Sequence, residues 1–359
     1  MGVRMSIVDD VSDYEKWLKT QCKVVKAGLD EKHKRMASDS FKFFRATCFR
    51  FARNIFKWVP DLEIAPMVMG VGDAHIENFG TWRDAEGRLV WGINDFDEAA
   101  MLPYTCDLVR LAASARLAPD LPGNDKTRSD AIIKGYRKGL EEPRPFFVDD
   151  RVPWMQALVN RPAAKTNGFR SELDEAISTP PDKAVRQLLN EQLPPGTSKI
   201  DYRAWQRGGG SLGRPRFLAI GAWNGGCVVR EAKALVPSAF EWASGKIGPV
   251  GLFQLVATGR YRSPDPFLTV RSNYVVRRLA SDSRKINLSD ADAAAFGSDL
   301  LEAMGADLAA IHLSGKVSKG EIISDLDGRA SDWLREAAAT VEEKVNEDFG
   351  TWKSFHRSK

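Results

Sequence analysis

The sequence predicts an α+β protein of two lobes, a mostly helical one and a smaller one built on an antiparallel sheet. Three observations carry that expectation. Apolar residues recur at helical spacing through residues 11–60 and 104–140; residues 201–285 are rich in Val, Leu and Phe in the alternation of paired strands; and two long helical patterns close the chain. At 359 residues the chain can bury a large core as one big domain or two, and 43% hydrophobic with 28% charged residues excludes wholesale disorder.

Tyr14, Trp17 and Leu18 mark one helix, and Phe41, Phe44, Phe51, Ile55 and Phe56 a second, opened by Ser38-Asp39-Ser40 as a cap. These read as a pair of core helices. Residues 66–72 read as a short buried strand, and 88–96 (RLVWGINDF) as a second, preceded by the turn DAEGR. Leu108, Leu111, Ala112 and Ala115, then Ile132, Ile133, Tyr136 and Leu140, are core faces of further helices. Residues 141–200, with EEPRPFF, STPPDK and QLPPGTSK, read as irregular connections around short helices, and the lobe boundary falls there. Beyond 200, RFLAIGAW, GGCVVREAKAL and PFLTVRSNYVVRRLA read as strands. Residues 289–313 and 329–349 are two long helices, each opened by a Ser-Asp pair suited to capping. The expected division is therefore a helical part over 1–200 with the acidic motifs, a sheet part over 201–285 with a Gly-rich loop, and helices over 286–359 that return to the helical part.

A net charge of +4, from 52 basic and 48 acidic residues, is too balanced for a nucleic-acid binder, and no nucleic-acid partner is expected. The four cysteines, Cys22, Cys48, Cys106 and Cys227, form no CxxC pair and are expected as buried reduced thiols. The N-terminal segment turns acidic at once, and no apolar run reaches the length of a spanning helix, so a soluble cytoplasmic protein without membrane contact is expected.

Chemistry concentrates in GDAHIENFG and INDFDEA. Phosphoryl transfer needs one carboxylate to orient or deprotonate a hydroxyl, and side-chain oxygens to hold magnesium against phosphates. Asp73 as base with Asn78 and Asp95 as metal ligands supplies that set. The kinase catalytic loop has the same order: Asp, Asn five residues on, then a hairpin delivering a metal-binding Asp in a D-F-x motif. Turn and helix capping by Asp73, Asn78 and Asp95 is the plain alternative. A hydrolytic metal centre of Asp73, His75, Glu77, Asp95 and Asp97 is another, weakened by His75 being the sole local imidazole; His75 fits better as a residue that shapes the loop or meets substrate.

The second half supplies the remaining parts. Gly208, Gly209, Gly210, Ser211 and Gly213 lie between two expected strands, where backbone N–H groups can meet phosphate oxygens of ATP. About twenty residues later, Arg230 and Lys233 are both candidates for the cation that grips α and β phosphates; chemistry favours Lys233, and strand alternation fits Arg230 as well. Arg277 and Arg278 are candidates for an anionic substrate or for solvated surface charge. Asp107 is expected to brace the catalytic loop or cap its helix. Trp154, Phe169 and Trp205 are candidates for an acceptor pocket, with buried packing the better expectation for each.

The order of these parts is permuted relative to kinases. LAAIHLSG at 308–315 resembles the helix that precedes the catalytic loop in aminoglycoside and choline kinases, and NYVVRRL at 273–279 resembles the strand leading to the hinge; placing 201–315 ahead of 40–140 restores the familiar order. Together MASDSFKFFRA, GDAHIENFG, INDFDEA, DLVRLAAS, GGGSLG, REAKAL and YVVRRL resemble the bacterial family called domain of unknown function 2252, grouped with protein-kinase-like and aminoglycoside-phosphotransferase-like proteins. The resemblance spans nearly the whole chain. It implies a circularly permuted, kinase-like two-lobe fold and an enzyme that uses ATP and Mg2+ to phosphorylate an unidentified hydroxyl acceptor, a small molecule ahead of a protein. Departures from the kinase pattern are Val71 where the motif has His, D-F-D in place of D-F-G, and Glu241 coming early for the helix partner of the lysine. A catalytically inactive nucleotide-binding scaffold and an adenylyl transferase are the alternatives that the same residues allow.

Overall fold

Ser6 opens the first helix, α1 (Ile7–Gln21), through a capping box: its hydroxyl accepts from the Asp9 N–H, and the Asp9 carboxylate accepts from the Ser6 N–H. The structure, a computed structural model, describes residues 5–119, 121–148, 155, 166–206, 208–246, 248, 251–281 and 297–358. Instead of a pair of helices up to residue 60 there are four: α1, α2 (Lys26–Met36), α3 (Ser40–Ala46) and α4 (Cys48–Trp58). The buried face of α2 is Gly28, Leu29, Lys32 and Met36, a stripe too poor in apolar residues to register as periodicity. Asp39 is the cap of α3, accepting from the Lys42 N–H at 2.8 Å.

Two small antiparallel sheets follow. β1 (Met67–Gly70) pairs with β4 (Ala100–Pro103), and β2 (Phe79–Arg83) pairs with β3 (Leu89–Ile93), which also takes β5 (Phe146–Phe147). β2, β4 and β5 add to the two strands expected from the sequence. Helices α5 (Tyr104–Leu117) and α6 (Asp125–Glu141) cross this region, and α7 (Thr166–Asp174) and α8 (Lys183–Gln192) precede the larger sheet. That sheet comprises β6 (Ser198–Ala204), β7 (Arg216–Trp223), β8 (Gly226–Ala234), β9 (Thr269–Arg271) and β10 (Tyr274–Leu279). It is antiparallel throughout in the order β6-β7-β8-β10-β9. Helices α9 (Ala239–Ser244) and α10 (Leu252–Ala257) bridge β8 to β9, and α11 (Gly297–His312), α12 (Lys319–Gly328) and α13 (Trp333–Arg357) close the chain. The fold is thus a mixture of helices and antiparallel sheets.

The expected Ser-Asp cap at 289–290 lies outside the described residues. At the other one, Asp332 is the N-cap of α13 but makes no side-chain capping bond, and the helix runs past the expected end at 349. Among the described residues, no helix is long and apolar enough to cross a membrane. The cysteines are free, but only Cys48 and Cys106 are buried; Cys22 is half-buried and Cys227 is exposed, contrary to the expectation of four buried thiols.

One large apolar cluster joins α1–α6, β1–β4 and α9–α13, and two small ones cover opposite faces of the five-stranded sheet. α6 and α11 approach backbone to backbone: a Cβ on Gly135 would lie 1.8 Å from the Glu302 carbonyl oxygen, and one on Gly305 would lie 2.2 Å from that of Ile132. Strand alternation sorts the sheet's side chains. Ala219, Ala232 and Val276 pack against Val185, Leu188 and Leu189 of α8, while Leu218 and Val229 pack with Leu173 and Trp205 on the other face. On that second face Arg216, Glu231, Lys233 and Arg277 continue toward the acidic motifs.

Candidate functional site

The turn after β1 is fixed from beneath by α5. Asp107, fully buried, accepts the backbone N–H of Val71 at 2.7 Å on one oxygen and that of Gly72 at 2.9 Å on the other, and His312 of α11 meets it at 3.1 Å. This is the bracing expected of Asp107. Gly72 is required here, because its φ is +75° and a Cβ would lie 2.0 Å from the Glu98 carbonyl oxygen. Asp73 follows, and one turn along α5 from Asp107 the buried Arg110 donates its Nε–H to Asp73 Oδ1 at 2.7 Å, with a second nitrogen paired to the same oxygen. The guanidinium lies over the rings of Phe44 and Phe51, at 4.3 and 5.0 Å. Asp73 Oδ2 remains on the side of Gly210, 3.8 Å from His75 Nε2.

Asn78 ends a short 3-10 turn (Ile76–Asn78), and the hairpin β2–β3 returns the chain to its side: Phe79 pairs with Ile93, and the Asn94 N–H donates to Asn78 O at 3.2 Å. Its amide nitrogen donates to the carbonyl oxygens of Asp73 and Asp95, each at 3.0 Å. Its Oδ1 is buried and has no hydrogen-bond partner. Buried carbonyl oxygens left this way are rare, and the residue that carries this one lines the same cleft as Asp95. The Asp95 carboxylate receives the Lys233 ammonium at 3.0 and 3.1 Å, and Lys233 also reaches Asp97 at 2.8 Å. Asp97 Oδ1 is likewise buried without a partner. Burial, then the charge of Asp95, pushes the Asp97 carboxyl above its usual range, against the pull of Lys233 and Arg214.

A cleft of about 220 Å³ opens over these groups. Gly208, Gly209, Gly210 and Ser211 form one side of it, Asp73, Asn78, Asp95 and Asp97 the floor, and Trp82, Ile93, Phe96, Trp205, Leu268 and Leu279 its apolar lining. Arg216, Arg277 and Arg278 also reach it. Glu231 joins two of them, accepting from Arg216 at 2.9 Å and from Arg277 at 2.6 Å. Burial pushes the Glu231 carboxyl up, but the two guanidinium groups outweigh it and hold the carboxyl down at about 2.

The sign follows from linkage: a folded-state value below the ordinary 4.5 gives stability that is complete above it and lost as pH falls toward about 2. At about 1.4 kcal/mol per unit, the loss is on the order of 3 kcal/mol. Urea unfolding measured across that window is expected to show this acid limb in the native protein and not in Glu231→Gln, which is less stable than the native protein near neutrality because the buried Arg216 and the half-buried Arg277 lose their shared charge partner.

Of the residues singled out in the sequence, the structure brings Asp73, Asn78, Asp95, Gly208, Gly209, Gly210 and Ser211 to one cleft, with Lys233 bonded to Asp95. Arg230 points to the opposite sheet face, donating to Gln192 O at 2.7 Å and stacking on Phe267 at 4.5 Å. Gly213 lies outside the lining, packed on Leu29 with its carbonyl held by Val25. Glu241 closes the capping box of α9 with Ser238 instead of pairing with Lys233. Glu98 fastens that helix, accepting from the Ala239 N–H and from Arg214, each at 2.6 Å. Phe169 packs against the small core of the sheet, Trp205 lines the cleft, and Trp154 lies outside the described residues.

Arg110, Arg214 and Glu231 were missed as site residues. Arg110 is a charged residue inside the apolar run LVRLAA, and that was the available signal for it; Arg214 and Glu231 lie close to other charged residues, and nothing in the sequence singles them out. Members of the hydrolytic set are paired to separate cations, with Asp73 held by Arg110, Glu77 by Arg45 and Asp97 by Lys233. Among the described residues, no group of three or more His, Cys, Asp or Glu is arranged to hold a metal. One amide oxygen with one or two carboxylates is instead the sparse donor set that suits magnesium, which keeps waters and substrate phosphates as its other ligands.

Residues 24–145 match the model of a family described as "uncharacterized protein conserved in bacteria" (DUF2252). The match includes Asp73, Asn78, Asp95, Asp107 and Arg110 and stops short of the Gly-rich turn and Lys233, a narrower span than the motif resemblance suggested. Comparison with curated proteins and with solved structures gave no match.

Proposed function

We propose that this chain is a kinase-like phosphotransferase, circularly permuted and two-lobed, that uses ATP and Mg2+ to phosphorylate a small-molecule hydroxyl. The observation that carries the reading is Asn78. Its amide nitrogen ties together the backbones of Asp73 and Asp95, and its buried oxygen has no hydrogen-bond partner in a residue that lines the same cleft as Asp95, which supports a role as metal ligand. The sheet supports the same reading, since the Gly-rich turn joins its first two strands and Lys233 on the third reaches Asp95.

When bound, Mg2+ and ATP supply charge neutralisation and the electrophilic γ-phosphoryl group. Asn78 and Asp95 would hold the metal. Asp73 Oδ2 would take the proton of the acceptor hydroxyl as its oxygen bonds to the γ-phosphorus and the bond from that phosphorus to the bridging oxygen breaks, ADP leaving with the electron pair, while Arg110 fixes Oδ1 and so sets the carboxylate's direction. Lys233, which bonds Asp95 and Asp97, would hold phosphate oxygens. The backbone N–H groups of residues 208–211 would cover the phosphates, and the apolar lining from Trp82 to Leu279 would take the base.

The test is ³¹P NMR of ATP and Mg2+ incubated with the protein, water serving as acceptor. ADP and inorganic phosphate are expected. AMP and pyrophosphate would establish adenylyl transfer by the same residues, and unchanged ATP would favour a nucleotide-binding scaffold.

A further inference from the structure

Helix α2 lies along the Gly-rich turn on a single stripe. The Val25 N–H donates to Gly213 O at 2.8 Å, Lys32 Nζ to Gly210 O at 3.1 Å, and an Arg35 guanidinium nitrogen to Gly208 O at 2.9 Å. Between these donors the backbones touch: a Cβ on Gly28 would lie 2.6 Å from Gly213 N, and one on Gly213 would lie 2.5 Å from Leu29 Cδ2. Positions 25, 28, 29, 32 and 35 recur every three or four residues, so they share one helix face. Lys32 is buried near the rings of Tyr14 and Phe49, at 5.7 and 5.5 Å, and Arg35 is steadied by Glu31 at 2.8 Å.

All three bonds take carbonyl oxygens of the turn. Among the described residues, no acceptor lies on the backbone N–H of Gly209, Gly210 or Ser211. A phosphate-binding turn must present N–H groups and keep C=O groups away, and consecutive glycines carry no side chains to enforce that choice. Two cations and one amide on a rigid helix enforce it from outside.

We propose that α2 is a clasp that fixes the Gly-rich turn in its phosphate-binding conformation, with Lys32 and Arg35 as positioning residues and the polyphosphate of a nucleotide as the ligand. The inference rests on the phosphotransferase reading. It is tested by ¹⁵N relaxation at Gly209 and Gly210 together with calorimetric titration of Mg2+ and ATP, on the native protein, Lys32→Met, Arg35→Met and Arg35→Lys.

In either Met variant the order parameters are expected to fall from about 0.85 to below about 0.6. Affinity is expected to weaken about tenfold as preorganisation is lost, and Arg35→Lys to retain most of it. The Arg35 side chain is substantially exposed, so Arg35→Met leaves the core untouched; unchanged turn dynamics in that variant overturn the clasp. A loosened turn with unchanged affinity overturns the positioning role. A native protein that binds no ATP defeats the phosphotransferase reading and the phosphate role with it, and the relaxation data then decide separately whether α2 fixes the turn.

Discussion

Asp73→Asn is expected to slow ATP turnover by about 10² to 10⁴-fold, the range that a positioned general base contributes, while leaving affinity for Mg2+ and ATP nearly unchanged. The same substitution removes the charge partner of Arg110, which is fully buried and already has one nitrogen without a hydrogen-bond partner. Stability should therefore drop by about 3 to 5 kcal/mol, the usual consequence of breaking a buried pair. A double variant separates the two effects. Asp73→Asn with Arg110→Met removes the stranded guanidinium, so its unfolding midpoint is expected above that of Asp73→Asn alone, while turnover stays lost. Recovery of turnover along with stability would show that Asp73 serves structure and not chemistry.

Asp107→Ala is expected to be the most destabilising substitution beneath the site. It strands two backbone donors, Val71 N–H and Gly72 N–H, and removes one of the two partners of the buried His312, which keeps the Tyr136 hydroxyl. Unsatisfied buried donors cost roughly 1 to 3 kcal/mol each, so a loss of about 4 kcal/mol is expected, a large share of the 5 to 15 kcal/mol typical of a domain. Asp107→Asn keeps one acceptor oxygen and should fall between the native protein and the alanine variant in urea unfolding. Equal stability of Asp107→Ala and the native protein would mean that the turn before Asp73 is held by other contacts.

The grouping of the first-half residues in one cleft was legible because it is local. Asp73, Asn78 and Asp95 lie within one strand–turn–hairpin unit, in which the Asn78 amide bonds the backbone carbonyls of the other two. Lys233 and the Gly-rich turn were found through their residue types, and the choice between Lys233 and Arg230 needed the strand's facing, which the packing of Ala232 on α8 decides. What escaped was contact over long separations. Lys32 and Gly210 are 178 positions apart, and nothing in either segment announces the other. The same holds for Arg110 and Phe44, and for Glu98 and Ala239, which lies 141 positions away. Elements with thin apolar stripes escaped too. α12 buries only Ile322 and Leu326, and α2 spends its inward face on glycine and lysine. Arg110 was hidden for a related reason: a charge within an apolar run looks like noise until its buried partner is known.

The central claim is that Asn78 and Asp95 hold a metal on which nucleotide binding depends. Calorimetric titration of ATP, with and without Mg2+, into the native protein and Asp95→Ala tests it most directly. Saturable binding that requires Mg2+ and disappears in Asp95→Ala, with that variant still folded, is the expected result. Absence of binding to the native protein at saturating ATP, or equal binding by both proteins, would contradict the assignment.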